Sequence, residues 1–232
     1  MNLKELKETL AYSCNILAHE GHWDNILGHV SVRLSKEKIL MKPHSFGFEE
    51  IRPQHIIVCD LDGKKIEGKY ERHSEIFIHT EIYRARPDVR CVVHSHPPYA
   101  IAFGSLRHPL RPVSHEGSIF YEGLPLFDHT TALIRTPELG REVAKTLAKC
   151  RGLLMKNHGS TVVGESIQVA TLYAVFLEKA CRIQLLATAS GEPSWTSDDE
   201  ARAKFEQIYT PHRLGSMWDY FVRRAKKGRR AS

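Results

Sequence analysis

The chain has 232 residues, of which 42% are hydrophobic and 26% charged, an ordinary composition for a globular protein. No apolar run reaches membrane-spanning length, and residues 1–5 already carry two charged side chains, so they lack the apolar core of a signal peptide. The five cysteines are scattered and form no Cys-x-x-Cys pair, which argues against a disulfide framework and a structural zinc site. We therefore expect a cytoplasmic protein with no membrane partner.

The formal net charge of +6 suggests at first a nucleic-acid partner. Residues 223–230, however, carry six positive side chains and no negative one, so the rest of the chain is neutral. A charge run confined to a terminus is typical of a solvated segment. We predict one domain over residues 1–222, a basic and disordered tail over residues 223–232, and no nucleic-acid partner.

Apolar residues at roughly helical spacing predict a first helix that ends near Gly21. Alternating and short apolar runs then predict strands over residues 29–34, 39–41 and 55–60. Ser74 is a suitable N-cap for a helix that reaches about residue 86, just before a proline. The first half of the chain thus contains two helices and at least three strands.

The second half continues the alternation. A short buried strand is predicted over residues 91–94, and Pro97-Pro98 opens the next helix. Thr136 followed by Pro137 is a good helix start. The remaining predicted elements are strands at 152–155 and 160–163 and helices at 167–189, 197–209 and 217–227. This order favours an α/β layered domain with a mixed or largely antiparallel sheet, and no glycine-rich nucleotide-binding motif is present.

Three of the 14 histidines stand out by their context. Side chains alternate along a strand, so His94 and His96 project to the same side at the end of an apolar strand. His158 lies in an Asn-His-Gly turn between two apolar strands. Three imidazoles suit zinc, manganese, cobalt or iron and leave an open coordination position for catalysis. Spacing alone leaves equally open a polar strand end and a turn histidine that bind no metal.

Glu75 opens the helix just upstream of the His-x-His strand. Beside a metal it is a candidate catalytic acid or base. Alternatively, it is only a carboxylate favoured by the helix dipole.

Six motifs in order make the chain resemble the class II aldolase/adducin-head family. They are Gly28-His29-Val30-Ser31-Val32-Arg33, Ile39-Leu40-Met41-Lys42-Pro43-His44-Ser45, His73-Ser74-Glu75, Arg86-Pro87-Asp88-Val89, His94-Ser95-His96-Pro97 and Asn157-His158-Gly159. The resemblance extends from the first helix to about residue 189. It implies a three-layer α/β fold with a central, mainly antiparallel sheet flanked by helices.

The resemblance also implies a function. One divalent metal ion, Zn²⁺ or Mn²⁺ with Co²⁺ or Fe²⁺ as alternatives, would be held by His94, His96 and His158, and Glu75 would be the proton donor or acceptor. The family further implies a homotetramer whose active sites lie at subunit interfaces. Candidates for residues that complete a neighbouring site lie in the middle loop and near the C-terminus: His115, Tyr121, Trp218 and Tyr220. Alternatively, these four pack an interface or the core.

The sequence departs from the sugar-phosphate aldolases at the loops that hold phosphate. His29 replaces an asparagine, His44 and Ser45 stand where threonine and glycine are expected, and His73 replaces a serine. Lys42 and Ser74 can still meet an anion, and the imidazoles suit a flat carboxylate substrate. Alternatively, the new histidines only pack the loops.

These departures favour a metal-dependent carbon–carbon lyase that decarboxylates a hydroxylated aromatic or heteroaromatic acid, the branch that the chain most resembles. The alternative is an aldolase that cleaves a non-phosphorylated hydroxy-ketone or hydroxy-acid. A sugar-phosphate aldolase, an epimerase and a non-catalytic adducin-like binding module are weaker alternatives. Metal content distinguishes the binding module from the enzymes.

Overall fold

An eight-stranded sheet forms the centre of the structure, a computed structural model that describes residues 1–228. The strand order is β4-β3-β2-β1-β5-β8-β7-β6, and every neighbouring pair is antiparallel except β6 and β7. The strands are β1 (His29–Arg33), β2 (Lys38–Met41), β3 (Ile57–Asp60), β4 (Lys65–Glu67), β5 (Cys91–Ser95), β6 (Leu126–Phe127), β7 (Gly152–Met155) and β8 (Gly159–Gly164).

Helices cover both faces of this sheet. They are α1 (Leu3–Leu17), α2 (Ile76–Ala85), α3 (Pro98–Ser105), α4 (Pro137–Leu147), α5 (Ile167–Ala189), α6 (Asp198–Ile208) and α7 (Pro211–Gly228). One apolar cluster joins the sheet to α1, α3, α5 and α7, and a second joins its other face to α2 and α4. The predicted three-layer fold with a mainly antiparallel sheet is therefore confirmed.

Strand alternation decides which polar residues lie on the α2 side. Val30, Val32 and Val93 belong to the cluster under α1 and α5. The residues adjacent to these valines along each strand consequently point to the opposite face, toward α2. His29, Ser31 and His94 are among these, and all three are at most 1% exposed. Polar side chains thus occupy the middle of a face that is otherwise apolar.

The predicted cap of α2 is wrong. The helix begins at Ile76 with Glu75 in the N-cap position and no side-chain cap, while Ser74 is exposed. Ser74 precedes the N-cap by one residue, so its hydroxyl is misplaced for the amides of the first turn. Thr136 does cap α4, since its hydroxyl accepts from the Leu139 N–H at 3.4 Å.

The predicted disordered tail is wrong for residues 223–228, because α7 begins at Pro211 and continues through them. Trp218, Phe221 and Ala225 recur at helical spacing and are buried at 8%, 9% and 5% exposure. Arg224 also forms an ion pair with Glu20 at 2.9 Å. The apolar face of the helix therefore extends into the basic segment, and the packing of this face against the core stabilises the helix there. The rest of the predicted tail, residues 229–232, lies outside the described residues.

Within residues 1–228, the helices are all too short or too polar to serve as a membrane span.

Candidate metal centre

The sheet and one turn bring His94, His96 and His158 together. His94 lies near the end of β5 and His96 just beyond it, so strand alternation directs both rings to the α2 face. His158 lies in the turn between β7 and β8, which is antiparallel to β5. One ring nitrogen from each histidine lies within 4.8 Å of the others. The cluster is thus formed by residues that are 64 positions apart along the chain.

The turn that carries His158 depends on its two neighbours. Asn157 has a φ of 52°, a left-handed conformation that asparagine tolerates better than most residues. A Cβ at Gly159 would lie 2.4 Å from the Ser95 carbonyl oxygen and 2.7 Å from the His96 ring. Only glycine therefore lets this turn pack against the end of β5.

Hydrogen bonds on the outer side of the cluster set the tautomers of two rings. The His94 Nδ1 lies 3.1 Å from the Thr161 hydroxyl, which donates its own hydrogen to the Met155 sulfur. His94 Nδ1 is therefore the donor of this bond. The His96 Nδ1 likewise donates to the Asp24 carboxylate at 2.5 Å. Both Nε2 atoms consequently carry lone pairs.

These two lone pairs face each other across 3.0 Å between the Nε2 atoms of His94 and His96. Two acceptors alone repel, so a shared cation would stabilise this arrangement. The separation suits two ligands at about 2.1 Å from one ion, and outer partners such as Asp24 are usual for metal-binding histidines. His96 and His158 are about one-tenth exposed, which leaves a path from solvent. The three residues therefore fit a catalytic divalent metal.

Glu75 adjoins this cluster. Its Oε2 lies 3.6 Å from the His158 Nε2, and its Oε1 accepts from the Ile134 N–H at 2.8 Å. Burial opposes the charged form of Glu75, but His158, the Ile134 N–H and His96 favour it, and the net effect lowers the pKa of this carboxyl. At neutral pH, Glu75 is therefore a carboxylate that can accept a proton.

Three further imidazoles extend the polar face away from the cluster. The ring centroid of His29 lies 4.8 Å from that of His94 and 4.5 Å from that of His73. His44 packs edge-on against His73 at 5.2 Å. The structure thus brings three of the predicted substrate-binding residues into one row beside the candidate metal ligands.

Lys42 lies beneath this row and is fully buried. Its Nζ donates to the carbonyl oxygens of Ile26 and Pro43 and lies 3.3 Å from the His73 Nε2. Burial lowers the pKa of Lys42 to about 8. The ammonium group is therefore held by backbone carbonyls and sits behind His73.

The other predicted site residues lie at the rim or elsewhere. Ser45 and Ser74 are exposed, and the Ser45 hydroxyl contacts the His44 Nδ1 at 2.8 Å. His115 and Tyr220 line a separate groove of about 460 Å³ that contains none of the histidines of the cluster. Trp218 packs in the apolar core, and Tyr121 contacts the Arg151 guanidinium. One chain does not bring these four residues to the cluster.

Sequence reasoning missed four polar residues around the cluster: Asp24, His22, His79 and Thr161. His22 is fully buried and its Nδ1 contacts the Ser95 hydroxyl at 2.9 Å. His79 contacts the His29 Nδ1 at 2.6 Å. A signal existed for His79, since it lies four residues after Glu75 and shares a helix face with it. Asp24 sits in a loop that has no such signal.

Comparisons with known proteins place the chain in a family. Residues 8–185 match the family described as Class II Aldolase and Adducin N-terminal domain. The decarboxylase NovR of Streptomyces niveus is 36% identical over 75% of this chain, although the chain covers only 64% of that relative, under two thirds of its length. The 3,4-dihydroxyphthalate decarboxylase of Arthrobacter keyseri is 30% identical over 94% of this chain and 93% of its own length.

A solved structure agrees with this assignment. The L-fuculose 1-phosphate aldolase of Glaciozyma antarctica PI12 superposes with a TM-score of 0.85 at 26% identity, covering 97% of this chain and 89% of its own. The shared fold, the ordered motifs and the family match all agree. The chain therefore belongs to the class II aldolase and adducin family.

Proposed function

We propose that this protein is a metal-dependent carbon–carbon lyase that removes carbon dioxide from a hydroxylated aromatic or heteroaromatic carboxylic acid. The observation that carries the proposal is the row of imidazoles, His29, His73 and His44, that adjoins the three-histidine cluster. Flat rings suit an aromatic acid, whereas a phosphate is usually bound by backbone amides and hydroxyls. The similarity to a dihydroxyphthalate decarboxylase along nearly the whole chain supports the same substrate class.

His94, His96 and His158 are the proposed ligands of one divalent ion, Zn²⁺ or Mn²⁺ with Co²⁺ or Fe²⁺ as alternatives. When bound, the ion would supply Lewis-acid polarisation of a substrate oxygen. Asp24 and Thr161 hold the His96 and His94 rings with their Nε2 lone pairs inward. The protein thereby keeps these two rings in one protonation pattern.

Glu75 is the proposed proton carrier. Decarboxylation replaces carbon dioxide with a proton on the ring carbon, so a group near the substrate must deliver one. Glu75 rests as a carboxylate because the pKa of its carboxyl is lowered. It would take up one proton from the solvent and transfer it to the ring carbon as the bond to the departing carbon dioxide breaks, so one proton is consumed for each carbon dioxide released.

The rim residues are proposed to bind and select the substrate. His44 and His73 present ring faces and edges, while Ser45 and Ser74 offer exposed hydroxyls. Lys42 is fully buried and lies behind His73. Its positive charge would therefore attract a substrate carboxylate electrostatically, without direct contact. A carboxylate bound at this end would leave the aromatic ring alongside the imidazoles.

The assembly is proposed to be a homotetramer with active sites at subunit interfaces. His115 and Tyr220 support this, because both line an open groove away from their own histidine cluster. In an interface site, such residues would complete the pocket of a neighbouring subunit. The single domain over residues 1–222 is proposed to extend through α7, whose apolar face packs on the same core.

A second candidate function is aldol cleavage of a non-phosphorylated hydroxy-ketone or hydroxy-acid. The similarity of the fold to L-fuculose 1-phosphate aldolase favours it. Both reactions need the metal site and a proton carrier at Glu75. They differ in the product, carbon dioxide or an aldehyde.

The test loads the purified protein with Zn²⁺ or Mn²⁺ and measures both products over a panel of hydroxylated benzoates, phthalates and pyridine carboxylates. We expect metal-dependent release of carbon dioxide from at least one acid. Glu75→Gln should retain the metal and lose activity by roughly 10²-fold or more, because it removes the proton carrier.

The matched control is Glu71→Gln, which changes a carboxylate whose side chain is 80% exposed and should leave turnover unchanged. Aldehyde formation from hydroxy-ketones without carbon dioxide release would favour the second candidate. A protein that binds no divalent metal would contradict both.

A further inference from the structure

A chain of buried hydrogen bonds runs from the core to His29. The Tyr83 hydroxyl contacts the Ser31 hydroxyl at 2.9 Å, and the Ser31 hydroxyl contacts the His79 Nδ1 at 2.6 Å. The His79 Nε2 then contacts the His29 Nδ1 at 2.6 Å. All four residues are at most 1% exposed, so water does not compete for these bonds.

The carbonyl groups at the inner end give this chain a direction. The Tyr83 hydroxyl reaches the carbonyl oxygens of Ser31 at 3.0 Å and Arg90 at 3.5 Å, and a carbonyl can only accept. Tyr83 therefore directs its single hydrogen to the backbone. Its oxygen accepts from the Ser31 hydroxyl, whose oxygen in turn accepts from the His79 Nδ1–H.

The neutral state of His79 passes this direction on to His29. Burial lowers the pKa of His79 to about 3, so the ring carries one hydrogen at neutral pH. Since that hydrogen is on Nδ1, the His79 Nε2 is an acceptor. The His29 Nδ1–H is then the donor. The ring hydrogen of His29 is therefore fixed on the side away from the three-histidine cluster.

The second ring nitrogen of His29, Nε2, has an unusual environment. This atom is buried and has no hydrogen-bond partner in the described part of the chain. One ring nitrogen of His29 lies within 4.8 Å of ligand atoms of Glu75 and His94. A buried acceptor without a partner is unfavourable by itself, which points to a ligand that donates to it.

We propose that the Tyr83–Ser31–His79 chain fixes His29 in its Nδ1–H tautomer, so that the His29 Nε2 accepts a hydrogen bond from a hydroxyl group of the substrate. His29 is then a specificity-determining residue that requires a donor, while Tyr83, Ser31 and His79 are positioning residues. The inference rests on the proposed function for the hydroxylated substrate. A methyl ether at the same ring position cannot donate and is rejected.

The first arm of the test needs no substrate. Nitrogen-15 NMR of the zinc-loaded protein distinguishes the two neutral tautomers of histidine, and the His29 signals are assigned by their loss in His29→Phe. We expect His29 with hydrogen on Nδ1 in the wild type. Ser31→Ala removes the acceptor of His79, so His29 should become a mixture of tautomers.

Thr80→Val is the matched control. Thr80 is on the same helix as His79 and fully buried, and its hydroxyl has no partner in the described residues. This variant should keep the wild-type tautomer. Finding His29 with hydrogen on Nε2 in the wild type would overturn the inference, whether or not Ser31→Ala folds.

The second arm measures binding by calorimetry of 2,3-dihydroxybenzoate and its two monomethyl ethers to the zinc-loaded protein. In the wild type, methylation of the hydroxyl that meets His29 should weaken binding by about 10- to 100-fold. His29→Phe should abolish this preference, and Ser31→Ala should reduce it. The other hydroxyl should retain its preference in every variant.

The two arms separate this inference from the proposed function. Carbon dioxide release with hydroxyl preferences that are equal in wild type and His29→Phe would overturn the inference alone. Failure to release carbon dioxide from any acid, with the Nδ1–H tautomer found, would overturn the proposed function together with the substrate part of the inference. The tautomer assignment would then stand by itself.

Discussion

Asp24 shows how a single loop residue can control the histidine cluster. Its carboxylate accepts from the His96 Nδ1–H at 2.5 Å and is partly exposed. The bond fixes the ring orientation and increases the basicity of the opposite nitrogen, as carboxylates behind metal-bound histidines do. Asp24 therefore belongs to the candidate metal site although it does not face the ion position.

Asp24→Asn should lower the affinity for Zn²⁺ by about 10- to 100-fold, because the amide is a weaker acceptor for the imidazole hydrogen. Competition with a chromogenic chelator measures this affinity. Asp62→Asn changes an exposed carboxylate away from the cluster and is the control. Equal affinities of the two variants would contradict the role of Asp24.

Burial of neutral histidines makes the fold sensitive to acid. The pKa of His79 is lowered by burial to about 3 from 6.5, so between these values the unfolded chain binds one more proton than the folded chain. The free energy of unfolding consequently decreases as the pH falls from 6.5 toward 3.

His79→Phe should make the loss of unfolding free energy between about pH 7.5 and about pH 5 smaller by about 2 kcal/mol. Urea unfolding at both values measures it. Thr80→Val, which changes no titratable group, should retain the wild-type difference. An unchanged difference in His79→Phe would show that His79 is protonated in the folded protein.

At this scale the sequence predicted motifs but not their hydrogen-bond partners. His94, His96 and His158 carry local signals, namely strand alternation and a glycine turn. Asp24 is 72 residues from its partner His96, and such a pairing depends on the tertiary fold. The burial of Lys42 was also beyond prediction, because it depends on the loop that contains Ile26.

At the scale of elements, the pairing of three neighbouring strands aligns the side chains of the site. His29 on β1 lies opposite His94 on β5, which lies opposite Thr161 on β8. Directly opposite residues point to the same face, so these side chains form one row across the sheet. The pairing of the strands thereby sets the spacing of the imidazoles.

Helix α7 offers a matched pair of aromatic residues. Trp218 is 8% exposed in the core cluster, whereas Tyr220 is 49% exposed. Trp218→Ala should lower the free energy of unfolding by about 3–5 kcal/mol through the cavity it leaves. Tyr220→Ala should change it by less than about 0.5 kcal/mol for the single chain. Urea unfolding tests both at a protein concentration that keeps the chains apart.

The helices were predicted correctly where the hydrophobic periodicity extends over many residues. The prediction failed where charged residues obscure that periodicity. The 23 residues of α5 and the cap of α4 were foreseen from spacing and from Thr136. The charges of residues 223–230 favoured a disordered tail and concealed the apolar stripe that ends at Ala225, although the helix predicted over residues 217–227 overlaps this segment. The two-residue strand β6 is too short to carry a pattern and forms only beside β7.

At the scale of the whole molecule, the proposed ligands come together only in the folded chain. His94 and His96 lie at the end of β5, whereas His158 lies in the turn between β7 and β8, 64 residues after His94 in the chain. An ion that binds this site therefore binds the native state and stabilises it.

Adding Zn²⁺ at about 100 times its dissociation constant should increase the free energy of unfolding by about 2.7 kcal/mol, and a chelator should reverse the change. Thermal unfolding with and without metal measures this increase. His94→Ala should unfold at the same temperature in both conditions. A wild-type protein whose unfolding does not respond to metal would contradict the proposed ligand set.

The row of side chains across β1, β5 and β8 also bears on how such a protein can diverge in sequence. His94 and Thr161 are held by ladder bonds on both sides, while His44, Ser45 and His73 lie in the connections outside the strands. Substitutions in these loops can therefore change the proposed substrate pocket without displacing His94 or Thr161. An insertion within one of the three strands would instead turn the following side chains to the opposite face. Descendants of this chain could thus vary the loops around the proposed substrate pocket while the strands keep His94 and Thr161 in place.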